Sequence, residues 1–145
     1  MTSDRITLER ITLDRITLGA SSLGERGDEK DAAALADAML SSPFGQIDTS
    51  NMYAGGHSER LLGEAIGRAG GLPATTTVFS KTDRDVQTGV FDGDRVKRSF
   101  EETTSRLGLD YLPVLHLHDP YTITLSEGFF DAVESLGDPP PTAND

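Results

Sequence analysis

The chain has 145 residues, the length of one ordinary domain, and its 36% share of apolar residues is enough for a layered core. Its 24 acidic against 13 basic side chains leave a net charge of −11, which repels phosphate backbones and anionic lipids, so nucleic acid and membrane surfaces are not expected partners and the scattered acids read as a solvated surface. The absence of cysteine excludes disulfides, thiol catalysis, thiolate zinc sites and iron–sulfur clusters, and with no apolar leader and no run near the roughly 18 apolar residues of a membrane span, a cytoplasmic protein is expected.

The segments Asp4–Leu8, Glu9–Leu13 and Asp14–Leu18 write one pattern, acid-Arg-Ile-Thr-Leu, three times. A period of five keeps neither a strand face nor a helix face constant, so residues 1–15 are expected to be an extended leader that feeds the first strand. That strand is predicted from Ile16 to Ser21. Asp28 then caps a helix whose Ala32, Leu35, Ala36, Met39 and Leu40 form one apolar stripe. A strand follows at Gln46–Asp48. Ser58 is predicted to cap a second helix that buries Leu61, Leu62, Ala65 and Ile66, and the stretch from Gly67 to Pro73 breaks it before a strand at Thr75–Lys81.

In the third unit Asp94 is predicted to start a helix in which Val96, Phe100 and Leu107 share a face, with Gly108 just past its end. Leu112 to His118 reads as the fourth strand. A last helix, Ser126 to Leu136, is expected to bury Phe129, Phe130, Val133 and Leu136. The segment from Gly137 to Asp145 has no apolar period and three consecutive prolines, which predicts a disordered tail. Strand and helix alternate with short connections, so the fold expected for residues 16–136 is α/β, made of about four parallel βα units.

In a parallel barrel the site is built at the C-terminal ends of the strands. Asp48, Lys81 and His118 all end predicted strands, and Tyr53 lies on the loop that follows Asp48. A tyrosine is a poor acid at neutral pH unless a cation stabilises its phenolate, and a buried lysine needs a counter-ion to stay charged. Lys81 and Asp48 meet those two requirements. His116 lies two residues before His118, on the same strand face one layer deeper, and reads as a core histidine. The pair His116 and His118 also permits a metal-dependent hydrolase, but His57 is the one other histidine, too few ligands for a two-metal site. Asp92 and Asp94 suggest a helix-entry turn more than a calcium loop.

The stretch Ile47-Asp-Thr-Ser-Asn-Met-Tyr53, followed by Ser58-Glu-Arg-Leu-Leu-Gly63, resembles the aldo-keto reductases, as do Val78-Phe-Ser-Lys81 and the run from Ser105 through Leu107-Gly-Leu-Asp-Tyr111 to His118-Asp-Pro120. The resemblance extends from about Ile16 to Leu136. It implies a TIM barrel, (β/α)8, of which this chain would be the N-terminal half, truncated, because a complete barrel needs about 250 residues. It implies an NADP-dependent oxidoreductase that interconverts a carbonyl (aldehyde, ketone or sugar) and an alcohol. Asp48, Tyr53, Lys81 and His118 would be its catalytic set, with Tyr53 the proton donor, Lys81 and Asp48 tuning it, and His118 orienting the carbonyl.

The same resemblance places Ser21 and Ser22, in the loop Gly19–Gly24, and Asp48 beside the cofactor. Pro113 stands where the reductases more often carry Asp, and a first-residue position in the strand would make it tolerable. Four strands alone leave the first and fourth as open edges, which opens two further arrangements: a homodimer or a complementary half-barrel that completes the site. The alternative function is a catalytically inactive reductase-like domain that serves as an interaction or subunit module.

Overall fold

The computed structural model describes residues 15–119 and 129–136. Most of the repeat segment, Ser126 and the segment 137–145 lie outside the described residues. In chain order the elements are β1 (Leu18–Gly19), α1 (Glu29–Leu40), β2 (Gln46–Asp48), α2 (His57–Arg68), β3 (Thr77–Thr82), α3 (Gly93–Leu107), β4 (Leu115–Leu117) and α4 (Phe129–Ser135). The four strands form one parallel sheet in the order β1-β2-β3-β4, the expected α/β arrangement of sequential βα units.

Pairing sets Gly19 opposite Asp48, Asp48 opposite Phe79 and Lys81 opposite His116. Because side chains alternate along a strand, this register divides the sheet into two unlike faces. Ile47 and Val78 are buried in a cluster with Ala32, Ala36, Met39 and Leu40 of α1, Leu61, Leu62, Ala65 and Ile66 of α2, and Leu107 of α3. The opposite face carries Gln46, Asp48, Thr77, Phe79 and Lys81, all half-buried. The apolar core therefore lies between sheet and helices, while the polar face lies on the side a barrel would enclose.

Several local expectations change. β1 and β4 pair over fewer residues than the apolar runs suggest, and Pro113 falls two residues before β4 rather than at its first position. Lacking an N–H, proline is accommodated ahead of the ladder. The cap of α3 is Asp92, whose Oδ1 accepts from the Arg95 N–H at 2.9 Å, so Asp94 sits in the first turn. Asp28 caps α1 as expected, accepting from the Asp31 N–H. Leu35 is 52% exposed, because the α1 face that packs on α2 is the one carrying Ala32, Ala36, Met39 and Leu40. In α4, Phe130 is exposed and Ala132 is buried in its place, with Val133 and Leu136 packed against Phe91 and Val96.

Ser58 does not cap α2. Gly56, in the left-handed region at φ 83°, holds the N-cap position, and Ser58 is buried two residues further on, within the first turn. There its hydroxyl donates to the Ala20 carbonyl at 2.9 Å and lies 2.9 Å from Thr49 Oγ1. One serine thus ties the ends of β1 and β2 to α2. The next residue, Glu59, is fully buried and accepts from Ser80 and Thr103 at 2.8 Å each and from Arg106 at 3.0 Å. A buried carboxylate is tolerated only with such a full set of donors.

Candidate active site

The four candidate residues converge at the C-terminal rim of the sheet. Asp48 is the last residue of β2, Lys81 the next-to-last of β3, and His118 follows β4 directly. Four bonds continue the ladder past the strand ends and fix the rim: Ala20 N–H to Asp48 O at 2.8 Å, Thr49 N–H to Phe79 O at 2.9 Å, Asn51 N–H to Lys81 O at 3.2 Å, and His118 N–H to Thr82 O at 3.0 Å. Tyr53 lies on the loop leaving β2, where the chain turns sharply through Ala54, Gly55 and Gly56, all at positive φ, before α2 begins.

The Lys81 ammonium donates to Asp48 Oδ2 at 2.6 Å and to the Thr49 carbonyl at 2.7 Å. It also lies over the Tyr53 ring, 4.6 Å from its centroid, within the range of a cation–π contact. His118 also stands against Tyr53, edge to face, with ring centroids 5.6 Å apart and planes at 87°. Cation, phenol and imidazole are therefore grouped together at the C-terminal rim of the sheet. Lys81 and Asp48 are 14% and 28% exposed at their side chains, so water only partly screens their attraction.

His118 is held by groups that sequence reasoning did not select. Its Nδ1 lies 2.6 Å from Asp83 Oδ1 and 3.2 Å from Ser50 Oγ, and the Ser50 hydroxyl in turn donates to Asp83 Oδ2. A signal for Asp83 was present: it lies two residues beyond Lys81, so the strand's own period carries it to the same side at the rim. His116, expected in the core, is exposed instead, because it points to the open polar face rather than toward the helices. His57 bonds Glu29 at 3.1 Å, and among the described residues no three His, Asp or Glu side chains are grouped to hold a metal ion.

Of the residues expected beside a cofactor, Asp48 is at the centre of the rim, and Ser21 and Ser22 are exposed on the turn that leaves β1. Gly19, paired with Asp48, presents no side chain there, and a Cβ at that position would meet nothing within 4 Å. Among the described residues, the space beside Gly19 at the rim next to Asp48 is unfilled.

A parallel sheet with helices packed on one face places the chain in the α/β class, and a Lys–Asp–Tyr–His cluster sits at the C-terminal rim of that sheet. The chain belongs to the aldo/keto reductase family, whose model matches residues 15–138. It is 35% identical over 92 residues to the L-galactose dehydrogenase of Arabidopsis thaliana, covering 63% of this chain and 28% of that protein. It is 34% identical over 96 residues to the morphine 6-dehydrogenase of Pseudomonas putida, again 63% of this chain and 28% of the relative. A thermostable aldo-keto reductase solved with the inhibitor epalrestat superposes with a TM-score of 0.64 at 28% identity, over 82% of this chain and 43% of that structure. An aldo-keto reductase of Bacillus halodurans, at 23% identity and a TM-score of 0.62, shares the fold over 83% of this chain and 41% of its own. The chain thus spans less than a third of the length of these curated relatives.

Proposed function

We propose that the chain carries the carbonyl-handling side of an NADP(H)-dependent oxidoreductase site acting on a small aldehyde, ketone or sugar. The observation that carries this reading is the Lys81 ammonium held at 2.6 Å by Asp48 and 4.6 Å from the Tyr53 ring centroid, with His118 edge to face against that same ring. In this reading Tyr53 gives its phenolic proton to the carbonyl oxygen. The Lys81 charge attracts the negative charge that forms on the phenol oxygen as the proton leaves, and Asp48 keeps Lys81 in place. His118 donates to the carbonyl oxygen and sets its orientation.

Bound nicotinamide supplies or accepts the hydride. Ser21, Ser22 and Asp48 are the residues proposed to hold it, and the open rim at Gly19 supports that assignment. The reductase-like unit is taken as residues 16–136, with 1–15 and 137–145 flanking it. Among the described residues no helix is long and apolar enough to cross a membrane, and a cytoplasmic location is part of the proposal.

A second reading has one observation in its favour: among the described residues β1 and β4 each form an outer edge of the sheet. Strand edges present unpaired N–H and C=O groups to other chains. In that reading the chain is a catalytically inactive module that binds a second copy or a complementary half-barrel through those edges. Titration of NADPH into the purified chain, with its mass in solution, separates the two. Micromolar binding, with carbonyl reduction abolished by Tyr53→Phe, supports the enzyme. Assembly with no binding at millimolar cofactor overturns it in favour of the module.

A further inference from the structure

We infer that Asp83 is a positioning residue for this site, one buried carboxylate that fixes the ring of His118 and anchors the loop bearing Tyr53. The inference deepens the proposed reading, on which it rests for its catalytic meaning. The Asp83 side chain is only 3% exposed, and its two oxygens serve different elements. Oδ1 meets His118 Nδ1 at 2.6 Å, beyond the end of β4. Oδ2 accepts from the Ser50 hydroxyl and, at 3.2 Å, from the Met52 N–H, in the loop that leads to Tyr53.

The backbone of Asp83 is fixed from α3: its N–H donates to Ser99 Oγ at 3.1 Å, and its carbonyl accepts from Arg95 Nε at 2.9 Å. The carboxylate is therefore braced from behind and bridges His118 to the backbone just before Tyr53. An ionised carboxylate only accepts hydrogen bonds, so the imidazole proton at this contact sits on His118 Nδ1. Nε2 is the nitrogen left for the carbonyl side. Asp83 thus selects the imidazole tautomer and adds a tie between His118 and the loop that leads to Tyr53.

The test uses the full chain labelled with 15N, in which three histidines make the imidazole spectra simple and His118→Gln assigns the third. Spectra are taken across a pH series and compared in the range where His118 is neutral. The expected result is an Nδ1–H form in the native chain that shifts to Nε2–H in Asp83→Asn. Ser50→Ala, which leaves the Asp83–His118 contact in place, keeps the Nδ1–H form and serves as the control. An Nε2–H form in the native chain, or an unchanged tautomer in a folded Asp83→Asn, overturns the inference. The native spectrum decides the tautomer even where Asp83→Asn does not fold.

Where the chain reduces a carbonyl, Asp83→Asn is expected to lower kcat at least about tenfold while the KM for cofactor stays within about twofold. An equal loss in both would make Asp83 merely structural and overturn the positioning role. Absence of turnover in the native chain sinks the reductase reading alone, because the imidazole spectra still decide what Asp83 does to His118.

Discussion

Lys81 and Asp48 sit on neighbouring strands of one parallel sheet, out of direct register, and still meet at 2.6 Å. Asp48 is paired with Phe79, and Lys81 is one side-chain period further along the same face. The long lysine side chain reaches back over that step. The pair also closes on the Thr49 carbonyl, so the ammonium gives two donors to the last residue of β2 and the residue after it.

This coupling is measurable apart from any catalysis. Lys81→Met leaves the Asp48 carboxylate without its cation and is expected to cost about 1–3 kcal/mol, toward the lower end because Asp48 keeps some access to water. Asp48→Asn alone should cost less, since the amide still accepts from Lys81. In a double-mutant cycle by denaturant unfolding, a coupling near zero would show that the pair adds no net stability.

Two glycines of α2 give opposite expectations. A Cβ on Gly63 would stand 1.9 Å from the backbone carbonyl oxygen of Arg106 and 3.0 Å from Leu107 Cα. Backbone cannot step aside as a side chain can, so Gly63→Ala must push α2 off α3 and should cost about 1–3 kcal/mol or more. A Cβ on Gly67 meets nothing within 4 Å, and the residue is helical. Gly67→Ala is expected to gain about 0.5–1 kcal/mol from helix propensity. Thermal melts of the two variants should move in opposite directions, and equal shifts would contradict the close approach of α2 to α3.

The contrast marks what the sequence made legible. Apolar periodicity located most of each helix core, with Leu35 and Phe130 the exceptions, and Asp28 and Gly108 marked helix ends correctly, because burial of a stripe and capping are local properties of the chain. Asp48, Tyr53, Lys81 and His118 could be named because each sits at or just past a strand end, where the fold class puts chemistry. Asp83 and Ser50 were not selected, since their meaning depends on contacts across 33 and 68 positions of chain. Ser58 was misplaced for a related reason: a serine near a helix start usually caps it, but here Gly56 supplies the turn and Ser58 is drawn inward by Ala20 and Thr49. His116 was misjudged because alternation gives a side chain's face but not whether that face is covered.

Glu59 is the strongest case of a buried charge with a structural duty. It joins Ser80 of β3, Thr103 of α3 and Arg106 of α3 from its place in α2. Arg106 also donates to the Asn51 carbonyl at 2.8 Å, so the same cluster steadies the loop that leads to Tyr53. Glu59→Ala strands Arg106 and two hydroxyls and is expected to cost about 3–5 kcal/mol. Glu59→Gln, which keeps an acceptor for the hydroxyls, should cost clearly less. Equal losses from the two, measured by urea unfolding, would show that the cavity rather than the lost ionic contacts sets the cost.

Acid should weaken the fold through Glu102. Partial burial pushes its carboxyl up, but the hydrogen bonds from Arg95 and Asn51 and the charges of Arg95 and Arg106 outweigh burial and hold it below its ordinary value of 4.5. The exposed Asp85 carboxyl is likewise held below 3.8, first by the Thr88 N–H and hydroxyl and then by the Gln87 N–H. For a carboxyl lowered in the folded chain, the unfolded chain binds the proton more readily in acid. The stabilisation is therefore fully present above the unfolded value and is lost as pH falls through the lower folded one. Glu102→Gln should be less stable than the native chain at neutral pH, and the gap should narrow steadily as the pH is taken below about 4.3. Denaturation midpoints of the two chains, compared between neutral and acid pH, test this; a gap that stays constant into acid would mean that the Arg95–Glu102–Arg106 cluster does not stabilise the fold through charge.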